Sequence, residues 1–231
     1  MIENQTSEAA LIEKATNFIP VLKERAHQAE RDRCMPKDTH IEFREAGFYR
    51  ALQPARYGGL ELDYGAQTMF ARELGRACAS SAWVGGILAC HGWMAGMLPD
   101  EAQSEIWGED PNVAISTSFL PIGVEIERKG DGLNISGRWR FSSGVDHCRW
   151  AIVLAMVPPE NGKGAPDPVF VLIDLRECSI EATWNSAGLA GTGSNDIVVD
   201  GAYVPPYRMM RVLELRGEET AGSKANGSYL Y

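Results

Sequence analysis

The spacing of apolar side chains changes once along this chain, near residue 110, and that change limits the folds open to it. Before it, apolar groups recur at a helical period; after it, they alternate in short runs separated by turn residues. Residues 8–32 carry Ala10, Ile12, Ala15, Ile19, Leu22 and Ala26 among charged neighbours, one face of a helix that Pro20 kinks or splits. A second helix is expected to start at Asp38 or Thr39 and to stop at Gly47, with Glu42 as the acid of a capping box if Thr39 is the cap. The segment ALQPARYGGLELD has the Pro and Gly-Gly of a structured loop. Further helices are expected over 64–76 and 80–98. The last of these is apolar on nearly every side and contains His91, which suits a helix buried in a core better than one crossing a membrane.

Beyond Trp107-Gly108 come VAISTSF, VEIER, LNISGRWRFSS, WAIVLAMV, VFVLIDL, CSIEATW and DIVVDGAYV, divided by the turn signals DG, PENGKG and GTGSN. Strands at this spacing predict an antiparallel β sandwich or barrel. The expected architecture is α+β: an all-helical domain over 1–110, an antiparallel β domain over 111–212, and a polar linker over 213–231.

Charge and composition narrow the function. A net charge of −9 argues against nucleic-acid binding, which needs a clustered basic face. The chain has no run of about 18 apolar residues, so no membrane span is expected. The start MIENQTSEAALIEK is polar and acidic where a signal peptide is basic and then apolar, so a cytoplasmic protein is expected. The cysteines, Cys34, Cys78, Cys90, Cys148 and Cys178, are odd in number and show no CxxC spacing. They are expected to be reduced, small, partly buried side chains, with no metal site.

Four stretches resemble the flavoprotein superfamily that includes the acyl-CoA dehydrogenases. PARYGGLELD at 54–63 is similar to a turn between that family's N-terminal helices, and PDEAQSEIWG at 99–108 to the helix start before its β domain. GRWRFSSGVDHCRWAIVLA at 137–155 and WNSAGLAGTGSNDIVVDGAYVP at 184–205 are similar to its flavin-facing turn and its closing β segment. Two departures matter. The dehydrogenases' E-P-x-x-G-S-D loop is replaced by SFLPIGVE, and their Trp-[IV]-[TS]-Asn run by FSSG. With these departures the chain resembles the oxygenase components of two-component flavin-dependent aromatic monooxygenases.

That resemblance implies reduced FMN or FAD supplied by a flavin reductase, and O2 used to hydroxylate a small phenolic substrate through a flavin C4a-hydroperoxide. It also implies a homo-oligomer, a tetramer when complete. In the family a C-terminal helical bundle completes the flavin site, and GSYLY falls about where that bundle would begin, so a catalytically incomplete fragment or assembly domain is one alternative reading. An FAD-dependent acyl-CoA dehydrogenase is the other. The same helices should then expose apolar surface, with 80–98 contributing.

The resemblance also nominates residues. Ser143 is matched to a hydroxyl at flavin N5, where it can accept from N5–H; on local grounds alone Ser142 and Ser143 read as turn residues. Phe141 stands where the dehydrogenases stack a tryptophan on the flavin, though a core-facing strand residue is the alternative. Ser116 and Ser118 share one face of ISTSF, and Ser118 is the stronger match to a flavin-contacting hydroxyl. Trp83 and His91, eight residues apart on one helix, match a pair lining the substrate pocket, with His91 as the catalytic member; a satisfied core histidine is the plainer alternative. Asp146 and His147 are secondary candidates, and Arg208 reads as structural.

Overall fold

The computed structural model describes residues 7–160, 162–217 and 219–231. Six helices come first: α1 (Glu8–Asn17), α2 (Ile19–Asp32), α3 (Lys37–Ala46), α4 (Ala66–Gly75), α5 (Ala79–Gly96) and α6 (Asp100–Trp107). Pro20 splits the first run, as an early-turn proline should: Phe18 caps the end of α1 and the start of α2. Gly47 closes α3 with φ +88°. The start of α3 differs from expectation. Pro36 precedes its first residue, and Thr39 is buried, accepting a hydrogen bond from Arg25, whose guanidinium also grips Glu42. Tertiary pairing with α2 has taken both side chains that a capping box would use.

Among the described residues, eight strands follow in two four-stranded sheets, ordered β1-β4-β5-β8 and β2-β3-β7-β6. The first sheet holds β1 (Ile115–Ser118), β4 (Trp150–Val157), β5 (Asp167–Asp174) and β8 (Met209–Arg211); the second holds β2 (Leu120–Lys129), β3 (Gly132–Ser142), β6 (Cys178–Glu181) and β7 (Asn195–Val204). Every strand pair is antiparallel except β1 with β4. Between those two the chain crosses to the second sheet to make the β2–β3 hairpin, and it returns beside β1 in the same direction.

Strand β4 explains its own unbroken apolar run. Ala151, Val153 and Ala155 face the core between the sheets, with Trp139, Val171 and Ile197. Trp150 and Ile152 face the opposite way, into a core completed by Leu98 and Trp107 of the helical region. A strand covered on both faces has no reason to alternate. The Trp139 indole donates to Leu154 O at 2.7 Å, tying the sheets together.

The tail does not behave as a linker. Residues Ala221–Asn226 form a short helix, α7, and Gly222 N donates to Met97 O at 2.9 Å at the end of α5. The Tyr231 ring is buried, with its hydroxyl on Leu52 O at 2.9 Å. Gly222 is needed there, because a Cβ would lie 1.9 Å from Gly96 O.

Candidate functional site

Turn chemistry at the end of β3 builds the site. The register with β7 shifts between Trp139 and Ser142, and the residue that absorbs the shift is Phe141, at φ +61°. A left-handed backbone at a phenylalanine costs about 1–2 kcal/mol. What that strain holds in place is an aromatic ring 43% exposed, with the Trp184 ring edge-on at 5.8 Å and the Arg140 guanidinium 4.5 Å from its centre.

Ser143 comes next, partly exposed, and it heads a line of hydroxyls. The Trp83 indole, from α5, donates to Ser143 Oγ at 3.0 Å. Ser143 Oγ is 2.9 Å from Ser194 Oγ, which is 2.7 Å from Thr192 Oγ1. Thr192 in turn donates to Leu189 O at 3.0 Å, a carbonyl that also receives the Thr192 amide and the Trp184 indole N–H. Trp83 and Leu189 also border a largely apolar groove of about 560 Å³ between α4 and α5, together with Tyr64, Ala71 and Ile87. Part of the apolar surface expected of helix 80–98 lies here; most of α5 is buried.

Strand β1 is enclosed. Ser116 and Ser118 are both buried; Ser118 donates to Arg140 O, and Ser116 lies by the Cys148 thiol with no nitrogen or oxygen partner among the described residues. Ser142 is buried and its hydroxyl has no partner among the described residues.

His91 sits as the plainer of its two readings has it, a satisfied histidine inside the core. It is 2% exposed, and both ring nitrogens are engaged by β1: Nδ1 donates to Ile115 O at 2.8 Å, and Nε2 accepts from Thr117 Oγ1 at 2.9 Å. Burial lowers its pKa to about 4, so the ring is neutral in that tautomer. It therefore does not line the groove with Trp83, which is 48% exposed. Eight residues overshoot two helical turns by about 80°, enough on this helix to separate an inner from an outer side chain. Asp146 and His147 stand at the seam between the helices and the β sheets: Asn195 donates to Asp146 at 3.0 Å, and the His147 ring stacks on His40 at 4.6 Å. Arg208 pairs with Glu105 at 2.6 Å and lies over Trp150.

Thr192 and Ser194 carry no separate signal in the sequence, and Trp83, expected beside the pocket with His91, meets Ser143 instead. GTGSN reads as a turn within the segment that resembles the family's closing β segment, and its two hydroxyls gain meaning from Ser143, 51 residues before Ser194. A flavin ring can stack on an aromatic face and can donate from its reduced edge to a small hydroxyl. Phe141 with Trp184, and Ser143 beside them, fit that donor and acceptor set.

Residues 6–107 match the family described as Acyl-CoA dehydrogenase, N-terminal domain. The oxygenase component of an FADH(2)-dependent resorcinol hydroxylase from Rhizobium sp. (strain MTP-10005) is 32% identical over 93% of this chain and 52% of its own length. The oxygenase subunit HsaA of a flavin-dependent monooxygenase from Rhodococcus jostii (strain RHA1) is 35% identical over 93% of this chain and 55% of its own. The crystal structure of the HsaA monooxygenase from M. tuberculosis superposes with a TM-score of 0.92 at 31% identity, covering 97% of this chain and 58% of that one. The chain thus spans about half the length of the curated relatives it matches. No helix among the described residues is long and apolar enough to cross a membrane.

Proposed function

Since the chain belongs to the acyl-CoA dehydrogenase superfamily, we propose that it forms the flavin-facing half of the oxygenase component of a two-component monooxygenase acting on a small phenolic substrate. The observation that carries this reading is the Ser143 hydroxyl, held by Trp83 and Ser194 beside the half-exposed ring of Phe141. When bound, reduced FMN or FAD supplies the activation of O2. The chain's own residues have narrower tasks. Ser143 would accept a hydrogen bond from N5–H of the reduced flavin and so keep that proton in place, Phe141 would offer an aromatic surface to its ring system, and Trp83 walls the apolar groove from which a phenol approaches. Ser118, donating to Arg140 O, ties the end of β1 to β3 beside that wall, while Ser116 and Ser142 are buried next to it. His91 serves the same wall through Ile115 and Thr117, as a positioning residue of β1.

The reading implies a flavin reductase as a transient partner and assembly into a homo-oligomer. The test is anaerobic titration of the purified protein with reduced FMN and reduced FAD, followed by admission of oxygen in the presence of a panel of phenols. Binding of reduced flavin and a hydroxylated product are expected. Tight, stoichiometric binding of oxidised FAD with acyl-CoA oxidation would replace this reading by a dehydrogenase.

A further inference from the structure

We infer that Thr192 and Ser194 are positioning residues that fix the direction of the Ser143 hydroxyl, leaving it able only to accept from a ligand, and so select a flavin with a proton on N5 over one without. The inference rests on the flavin reading above. It follows from counting protons along the hydroxyl line. A hydroxyl has one proton to donate and two lone pairs. Thr192 Oγ1 lies 3.0 Å from Leu189 O, an acceptor that cannot donate, so the Thr192 proton belongs on that contact. The opposite order would leave oxygen lone pairs facing each other at 3.0 Å. With its proton spent, Thr192 Oγ1 must accept from Ser194 across their 2.7 Å contact. Ser194, its own proton now committed, must accept from Ser143 across 2.9 Å. Trp83 Nε1 is a pure donor and occupies one Ser143 lone pair at 3.0 Å. What remains on Ser143 is one lone pair and no proton.

A group in that state discriminates between redox forms. Reduced flavin carries N5–H, a donor that pairs with the free lone pair. Oxidised flavin presents a bare N5 lone pair, which meets another lone pair and gains nothing. The carbonyl of Leu189, itself held in a left-handed turn (φ +54°), is the fixed end from which the order propagates. Ser194 and Thr192 are almost fully buried, so water has little access to reverse it.

The experiment measures dissociation constants for oxidised and reduced flavin, under anaerobic conditions, in the protein as the cell makes it and in Thr192→Val, Ser194→Ala, Thr192→Ser and Ser143→Ala. Thr192→Val and Ser194→Ala release the Ser143 proton to turn toward the ligand. Oxidised flavin should then bind about tenfold more tightly, the worth of one hydrogen bond, with reduced flavin little changed. The two-electron potential of the bound flavin should fall by about 30 mV, the equivalent of that tenfold change. Thr192→Ser keeps a hydroxyl and should keep the wild-type ratio. A damaged site loses both forms, so a gain for the oxidised form alone separates proton order from simple disruption. If Ser143→Ala lowers the preference for reduced flavin while Thr192→Val and Ser194→Ala leave it intact, the proton order is wrong and the role of Ser143 stands. If Ser143→Ala also leaves it intact, or if wild-type protein binds neither form, the flavin reading falls and the inference with it.

Discussion

Trp83 on α5 and Ser143 at the end of β3 are joined by a 3.0 Å hydrogen bond that crosses from the helical region to the β region. Sixty residues separate them in the chain, and each alone looks unremarkable: an indole half in water, and a serine in a turn. Together they give the turn a rigid hydroxyl. The helical region therefore contributes to the site as a clamp on the β-region turn as well as through its own groove.

The first consequence concerns Ser143→Ala. The substitution removes an acceptor from a site in which the ligand proton has few alternatives, a loss of about 1–3 kcal/mol, or roughly 5- to 150-fold. Reduced flavin should still be consumed, with hydrogen peroxide replacing hydroxylated product. Oxygen uptake measured with and without catalase gives the coupled fraction directly. An unchanged fraction would return Ser143 to the role of a turn residue.

A second consequence is a dependence of stability on pH. His91 has a folded pKa near 4 against an ordinary 6.5, because burial disfavours the imidazolium. The unfolded chain takes up this proton first as pH falls. The contribution of neutral His91 is therefore whole above about pH 6.5 and declines toward about pH 4, at roughly 1.4 kcal/mol per pH unit. His40, also held near 4 by burial and by His147, acts in the same direction from a more exposed position. Denaturant unfolding from about pH 7.5 down to about 4.5 should show the loss. Asp174 cannot produce it, since its ordinary pKa of 3.8 lies below this window and its folded value is lower still. A flat profile over the window would mean that folded His91 takes up its proton as readily as the unfolded chain does.

Much of the architecture was legible because it depends on local signals. Gly47 and Pro20 end and begin helices for steric reasons that no tertiary context overrides. The β region was legible from its turns. Three things were not. The direction of β1 against β4 depends on which sheet the intervening hairpin joins, a long-range choice. The side of α5 on which His91 lies cannot be read from periodicity when the helix is apolar all round. The docking of residues 221–231 rests on Gly222 and Tyr231, whose partners, Gly96, Met97 and Leu52, lie over a hundred residues away. At the site the split is the same: FSSG was visible as a motif, whereas its ordering by Trp83 and Thr192 exists only in three dimensions.

Asp174 supports a third prediction. Its side chain is 5% exposed at the end of β5, and it accepts from Arg149 Nε and Nη2, both at 2.9 Å, and from Arg176 Nη2 at 2.8 Å and its backbone N at 3.0 Å. Burial alone would raise its pKa, but these bonds outweigh it and hold the carboxyl well below the usual range. Asp174→Ala strands two guanidinium groups at the point where β4 and β5 meet, Trp150 opposite Asp174. Both arginines reach water, so the cost should be about 2–3 kcal/mol, below that of a fully buried pair. Denaturant unfolding of the variant measures it; a change under about 0.5 kcal/mol would class the cluster as a surface ion pair.

The docked tail is the most exposed to a single atom. At Gly222 a Cβ would stand 1.9 Å from Gly96 O and 2.5 Å from Met97 Cα, and backbone atoms cannot yield as a side-chain tip can. One partner has to move. Helix α5 is fixed by buried residues along nearly its whole length, whereas α7 has six residues, of which Gly222 alone is buried. In Gly222→Ala the tail should therefore leave and α5 stay. The departure has a reporter, since the Trp93 indole donates to Leu230 O at 2.6 Å and would exchange that carbonyl for water, shifting its fluorescence to the red. A protease specific for basic residues should then cut at Lys224 faster than in the wild type, with the far-ultraviolet circular dichroism of the remainder almost unchanged. Tyr231→Phe removes only the bond to Leu52 O and should cost about 1 kcal/mol, or about 2–4 °C in Tm, with the tail still docked. If Gly222→Ala gives the same small shift and no new cleavage, α5 has moved instead, and the tail is held more firmly than its short helix suggests.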